Sequence, residues 1–518
     1  MDEDSVHKPM ILISSGVLVS RILGLVRDIV LASIWGTGAA MGGWVFAFTI
    51  PNLLRALFAE GAFSSAFVPV FSERLEKDGA PAAWRSATVI IGHLVLAVAL
   101  VATVVTVASL PLRAVATGRT YQIALELLPL VMPYAVLIAA STAFGAVLNS
   151  LGRFGVPAFS PLLLNLFMIG GALLLAPHFG EGPDQWIRVL AAAVLLAGVV
   201  QMLLHAGRCW QLGHRFRPRL ERGHADTRRV ALLMAPVTVG VGVMQLNTLV
   251  DRTLAAWLGS DAITSLYYSQ RLVYLPVGLF GVALGVVSLP LLSRARAAGR
   301  EEEMARHLRS ALGQVVFLTV PAALGLLVVR TPLVSLLFQR GAFTMADTRE
   351  TVYALLFYLP GIPAFACAKV AVTPFHAAQD TRTPIRIAVV CLGVNLVLNL
   401  SLMGSLRQGG LALATTVSSW LNVILLLRLA RRNMNQAAFA GLGGHAARIV
   451  LAGLLALGVA AAVTMLAGFD SPSAASTLSA RLIQTLVPLA VFASVYVGTS
   501  MLLGCRDALD LLRALRRR

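Results

Sequence analysis

Residues 20–28 read "SRILGLVRD" and lie inside the apolar run "MILISSGVLVSRILGLVRDIVLASIWG" of residues 10–36. That run is long enough to cross a hydrocarbon core of ~30 Å as one helix, which takes ~20 residues. Yet it sets Arg21, Arg27 and Asp28 well away from either end. A charged group at the centre of a lipid-facing helix costs ~2.5–3.5 kcal/mol on insertion scales, so such groups face a bundle interior or a wet cavity. A helix that keeps all of them therefore belongs to a bundle with a polar inside. Arg21 and Asp28 are nearly two turns apart and share a face, with Arg27 about 120° round.

The rest of the chain has the same solvent. It has 518 residues, 58% of them hydrophobic and 13% charged, with a mean hydropathy of +0.80. That composition is far from a water-soluble domain and defines an all-α polytopic membrane protein. Stretches of spanning length recur from 11–35 to 481–504, among them 41–71, 384–404 and 408–430, which makes about 14 transmembrane helices. They are continuous, whereas barrel strands would alternate in polarity. The first run carries arginines and is followed by no small-residue cleavage pattern, so it is expected to be a retained helix.

The net charge of +18 is explained by where the arginines sit. Residues 207–229 ("GRCWQLGHRFRPRLERGHADTRR"), 293–309 ("SRARAAGREEEMARHLR") and the final "LLRALRRR" are basic, whereas "GTGAAMGG", "LGSDAIT" and "FDSPSAAS" carry little or no positive charge. The positive-inside rule puts both termini in the cytoplasm, as an even helix count requires. Anionic membrane lipids are a secondary partner of the basic loops; nucleic acid is not, because no soluble domain exists to read it. Cys209, Cys367, Cys391 and Cys505 are scattered without metal spacing, and neither an HExxH pattern nor a GxxxxGK[ST] phosphate loop occurs.

Self-comparison finds a repeat. "DIVLASIWGT" from Asp28 and "DRTLAAWLGS" from Asp251 both read D-x-x-L-A-x-x-x-G-[ST], and "FVPVFSE" around Pro69 is followed in the second copy by "SLPLLSR" around Pro290. The expected organisation is two pseudo-symmetric six-helix lobes, 1–220 and 221–435, with two further helices and a basic tail in 436–518. Six is even, so the lobes share one membrane orientation, which is a transporter architecture with its site between lobes. The second helix adds Arg55 and Glu60 in "PNLLRALFAEGAFSSAF", and the eighth adds Arg271 in "YYSQRLVYLP". Arg21, Arg27, Arg55 and Arg271 would make an anion-seeking cavity, and the guanidinium fork fits phosphate oxygens in pairs.

"SRILGLVRD", "PNLLRALFAEGAFSSAFVPVF", "NSLGRFGVPAFSPLLLN" and "GVALGVVSLPLLS" resemble the MurJ (MviN) family, lipid II flippases of the MOP transporter superfamily, over nearly the whole chain. The resemblance implies a 14-helix, MATE-like inner-membrane protein, functional as a monomer. It would move undecaprenyl-pyrophosphate-linked disaccharide-pentapeptide from the cytoplasmic to the periplasmic leaflet, without a cofactor. It also implies that Ser20, Arg21, Arg27, Asp28, Arg55, Glu60 and Arg271 line the substrate cavity. Two positions depart: Gly42 and Tyr274 stand where some relatives have an acid, which leaves the cavity more positive.

A second polar set is Asp251, Asn395, Asn399 and Thr415. Asparagines four apart share a helical face, and an oxygen-rich set of this kind suits Na⁺; asparagines in membrane helices equally serve as interhelical hydrogen bonders. Some members of the family are similar in having a sodium site there. Lys369 is expected either to contact an anionic substrate or to pair with a carboxylate. Trp35 and Trp44 are expected as interfacial anchors. Two other function classes are weighed. Another MOP exporter, such as a multidrug antiporter or an oligosaccharide-lipid flippase, is the first; a cavity for cationic drugs should be rich in acids, and this one is rich in arginine. A membrane-embedded enzyme would need clustered carboxylates or a metal site, and no such cluster is visible.

Overall fold

A computed structural model of the chain describes residues 3–58, 61–214, 216, 219–432, 441–469, 477–505 and 507. Among these every regular element is helical and none is a strand. Lipid leaves little choice, since each backbone N–H and C=O in a hydrocarbon core has to be paired within its own segment. Eleven helical runs among the described residues are long and apolar enough to cross a membrane. One of these runs joins two helices over Ala39–Val115, and two contain a non-helical residue, Gly79 and Arg407, so eleven counts helical runs and not crossings. The expected stretch 41–71 is two elements, one ending at Phe58 and the next beginning at Ala62.

The chain forms two compact units, Met1–Ile263 and Thr264–Arg518. The first contains α1 (Glu3–Trp35), α2 (Ala39–Phe58), α3 (Ala62–Val115), α4 (Arg119–Ser150), α5 (Gly155–Gly170), α6 (Pro183–Gln211) and α7 (Ala225–Leu258). Helix α4 is its centre, packed by α2, α3 and α6, while α1 lies on α5 and α7 on α2 and α3. Helix α8 (Ser260–Pro276) begins in this unit and continues into the second. The second unit goes on with α9 (Ala283–Ala297), α10 (Glu301–Phe338), α11 (Met345–Tyr358), α12 (Ile362–Ala371), α13 (Thr373–Ala377) and α14 (Arg382–Arg432). Its last helices, α15 (Leu442–Leu466) and α16 (Leu478–Leu502), pack on each other and on α10. Tyr496 Oη donates to the Phe317 carbonyl at 2.9 Å in that contact.

The repeated decapeptide is buried at the same leucine and alanine positions and carries a positive-φ glycine in both copies. Leu31, Ala32, Leu254 and Ala255 are all buried, and each helix stops just before its motif glycine. Gly36 has φ +54° and Gly259 φ +135°. Side chains are strained in that half of the map, so glycine ends both helices for the same reason.

Gly79 (φ 78°, ψ 175°) bends α3 into an elbow two residues before Pro81. The basic 207–229 segment is fastened there. Arg74 Nε and Nη2 donate to the two oxygens of Asp226 at 2.8 and 3.1 Å, Ser86 Oγ donates to the same carboxylate at 2.7 Å, and Arg229 pairs with Glu73 at 2.7 Å. His214 is buried, stacked on Trp84 at 4.6 Å, with Thr88 Oγ1 2.9 Å from Nε2. Burial holds this imidazole below its ordinary pKa, only partly opposed by a backbone hydrogen bond at Trp84.

The tryptophan expectation is corrected. Trp35 and Trp44 are both buried: Trp35 Nε1 donates to the Pro183 carbonyl at 2.8 Å and Trp44 stacks on Phe48 at 4.9 Å. An interfacial anchor must reach headgroups, and these rings are spent on packing within the unit. All four cysteines are free and buried.

Candidate functional site

The charges of α1 resolve into two kinds. Arg21 is exposed, whereas Arg27 is 8% and Asp28 1% exposed. Neighbouring side chains leave a helix about 100° apart, so Arg27 folds back to reach its neighbour. Its Nε and Nη2 donate to Asp28 Oδ1 at 3.0 and 2.7 Å, and its Nη1 donates to Asn165 Oδ1 on α5 at 3.0 Å. Asn165 in turn donates through Nδ2 to the Ser20 carbonyl at 3.3 Å. The guanidinium is thus charge-balanced and clamped between two helices, and Ser20 enters the network through its backbone.

Arg55 lies in the last turn of α2, half-buried, with Nε donating to Asn52 Oδ1 at 3.3 Å, and it borders a polar cavity of the first unit. Glu60 lies outside the described residues. In the second unit Arg271, on α8, is exposed; its Nη2 donates to Tyr267 Oη at 2.8 Å and its guanidinium carbon sits 4.7 Å from the centre of that ring. Cation–π contact and the hydrogen bond together fix the plane of the fork. The first unit thus groups Ser20, Arg27 and Asp28 into one network and carries Arg21 and Arg55 on the same bundle.

Gly42 lies at a close helix approach. A Cβ there would stand 3.1 Å from Thr120 Cγ2 and 3.2 Å from both Ile263 Cγ2 and Ser260 Cα. The starts of α4 and α8 thus come close to α2 at this point, and a side chain here would press on both. Tyr274 is exposed.

Of the second polar set, three members meet. Asn395 and Asn399, both 0% exposed, are joined by Asn399 Nδ2 donating to Asn395 Oδ1 at 2.8 Å; Asn395 Nδ2 reaches Thr415 Oγ1 at 3.5 Å. Their oxygens are neutral and converge across the two halves of α14, a donor set compatible with Na⁺ and already hydrogen-bonded to itself. Asp251 belongs to the first unit, buried, and accepts from Asn247 Nδ2 at 3.3 Å. No group of three or more His, Cys, Asp or Glu that would hold a metal occurs among the described residues. Lys369 is exposed and pairs with no carboxylate among the described residues.

Asn165 is the site residue that the sequence reading passed over. It ends the stretch "NSLGRFGVPAFSPLLLN", and a lone amide in an apolar helix was the signal that something must pair with it.

A membrane bundle of this design is a transporter fold. It superposes with TM-score 0.68 on the inward-facing structure of a multidrug resistance MATE family transporter of the MOP superfamily, covering 84% of this chain and 99% of that one at 13% identity. It superposes with TM-score 0.78 on a structure described as lipid II flippase MurJ, inward closed conformation, covering 96% of this chain and 100% of that one at 24% identity. The chain belongs to the lipid II flippase MurJ family, whose family model matches residues 31–505. It is 38% identical to a probable lipid II flippase MurJ of Vibrio cholerae over 81% of this chain and 82% of that protein. It is 33% identical to the lipid II flippase MurJ of Burkholderia cenocepacia, over 87% and 90%.

Proposed function

We propose that this chain is a lipid II flippase of the bacterial cytoplasmic membrane, with both termini cytoplasmic. It carries the undecaprenyl-pyrophosphate-linked peptidoglycan precursor from the inner to the outer leaflet. Two lobes, 1–220 and 221–435, work by alternating access, and no bond is made or broken. The observation that carries this reading is the family match over residues 31–505 on a chain whose membrane helices bear Arg21, Arg27, Arg55 and Arg271. A pyrophosphate brings about two negative charges and several acceptor oxygens, which planar guanidinium forks bind in pairs. Arg27 enters with its charge already balanced by Asp28, so in this reading it aligns α1, while Arg21, Arg55 and Arg271 supply the net attraction.

The ligand can drive closure only by binding the closed state more tightly than the open one. Positive groups brought together without substrate repel by roughly 1 kcal/mol per pair at ~4 Å in water, and more when desolvated. Substrate therefore favours the occluded form. In this proposal Asp251, Asn395, Asn399 and Thr415 are the oxygen set for a coupling Na⁺. The hydrogen bonds among the last three equally support a packing role, and stabilisation of the solubilised protein by Na⁺ over K⁺ separates the two.

The deciding experiment is depletion of the host flippase with this chain supplied in trans, while lipid II in each leaflet is assayed. Growth with lipid II reaching the outer leaflet is expected, and loss of both with Arg21, Arg55 or Arg271 changed to Ala. Growth supported by all three Ala variants at normal protein levels would sink the charge-based mechanism.

A further inference from the structure

A cavity with polar and apolar walls lies within the first unit, lined by α2, α3, α4, α5 and α6, with a volume of about 250 Å³. That is about eight times the volume share of a liquid water, and below the range of pockets that enclose a drug-sized ligand. Its size suits one sugar ring and not a whole headgroup.

The wall chemistry is specific. Gln201 is 1% exposed, its Nε2 donates to the Ser160 carbonyl at 3.0 Å, and its Oε1 has no hydrogen-bond partner among the described residues. Buried amide oxygens without a donor are uncommon and ask for one. One turn on, His205 is 3% exposed, with Nδ1 2.8 Å from the Gln201 carbonyl and 3.0 Å from Ser141 Oγ. A carbonyl can only accept, so Nδ1 carries the hydrogen and the network assigns Nε2 as an acceptor. Ser64, Thr142, Asn149 and Ser160 line the same space, and none of their side chains is hydrogen-bonded to another described residue. Tyr134 forms one apolar wall and Pro157 with Pro161 another. Arg55 is the single fixed charge among the described lining residues, and no carboxylate is among them.

We propose that this cavity is a carbohydrate subsite for one acetamido pyranose. The acetamido N–H donates to Gln201 Oε1, a ring hydroxyl donates to His205 Nε2, and the serine, threonine and asparagine side chains, which both donate and accept, satisfy the remaining hydroxyls. Phosphate fits poorly, because its oxygens would face the Gln201 and His205 acceptors. A charged peptide end fits poorly too, with a single cation and no anion to meet it. The proposal rests on the flippase reading, whose substrate carries a disaccharide.

The test measures binding of three lipids to the solubilised full-length protein: polyprenyl pyrophosphate without sugars, the same lipid bearing the disaccharide alone, and lipid II. The wild type should prefer the disaccharide lipid to the sugar-free one by about tenfold or more, the scale of one or two well-made buried hydrogen bonds. Gln201→Met removes the orphan acceptor. Thr142→Leu fills the space without breaking any hydrogen bond within the protein. Each should shrink the preference to about threefold or less, as expected when those bonds are lost, while sugar-free binding is unchanged, which also certifies folding. Retention of the full preference in both variants, or a preference that arises only when the peptide is present, overturns the subsite. A wild type that binds none of the three lipids overturns the flippase reading together with it.

Discussion

Removing Asp28 is the sharpest test of how charge is managed in this membrane bundle. Asp28→Asn keeps the shape and deletes the countercharge of a guanidinium that is 8% exposed and donates to that carboxylate at 3.0 and 2.7 Å. Breaking one partner of a buried pair leaves the other charge uncompensated and costs about 3–5 kcal/mol. Arg27 keeps the Asn165 bond at 3.0 Å, and a hydrogen bond to a charged group is worth about 1.5–3 kcal/mol, so the lower end of that loss, about 3 kcal/mol, is expected. Replacing both partners by apolar residues of similar volume, Arg27→Met with Asp28→Leu, should restore most of the stability, because such swaps are often neutral. It should not restore transport if Arg27 aligns α1 for the substrate. Thermal unfolding in detergent reads the first quantity and outer-leaflet lipid II reads the second. An Asp28→Asn protein that melts within about 0.5 kcal/mol of the wild type, the range of an ordinary surface substitution, would show that the pair is not electrostatically buried. A double variant that transports normally would leave Arg27 without a functional part.

Asn165→Leu should loosen α1 from α5, costing about 1–2 kcal/mol given the modest worth of hydrogen bonds in membranes; Asn165→Asp, which keeps the acceptor for Arg27, should recover more transport than Leu, and equal loss in both would refute the positioning role. Gly43→Ala places a Cβ 2.7 Å from Ile123 Cγ2, and Gly42→Ala one 3.1 Å from Thr120 Cγ2, so both should lower protein stability by about 1–3 kcal/mol with Gly43 the more sensitive, as read from melting curves. Since burial depresses His214, the folded form binds fewer protons than the unfolded one below the unfolded pKa of about 6.5. Stability is therefore full above that pH and declines as pH falls through it, and His214→Phe, which keeps the stack on Trp84, should flatten the acid limb. Arg271→Lys keeps the charge but gives up the planar fork held on Tyr267, so transport should fall nearly as far as with Ala; full activity of the Lys variant would argue for a point charge.

Much of this protein was legible in one dimension. Length and hydropathy dictate membrane helices, because lipid admits no unpaired backbone. The decapeptides beginning at Asp28 and Asp251 share one spacing, and both helices end at a glycine of positive φ, Gly36 and Gly259. Arginines in apolar helices single out candidate positions, since their insertion cost has to be compensated somewhere. Partners, however, are set by which helices touch, and helix contact is not encoded locally. No spacing rule says that Arg27 bends to its own neighbour and then to Asn165, 138 residues away. Nor does one say that Trp35 and Trp44 turn inward, or that Gly42 is a close contact point of α2. Gln201 and His205 read as ordinary polar residues of a membrane helix until five helices close around them. They face one cavity only because α2 to α6 pack around it, a property of the tertiary arrangement and of no single segment.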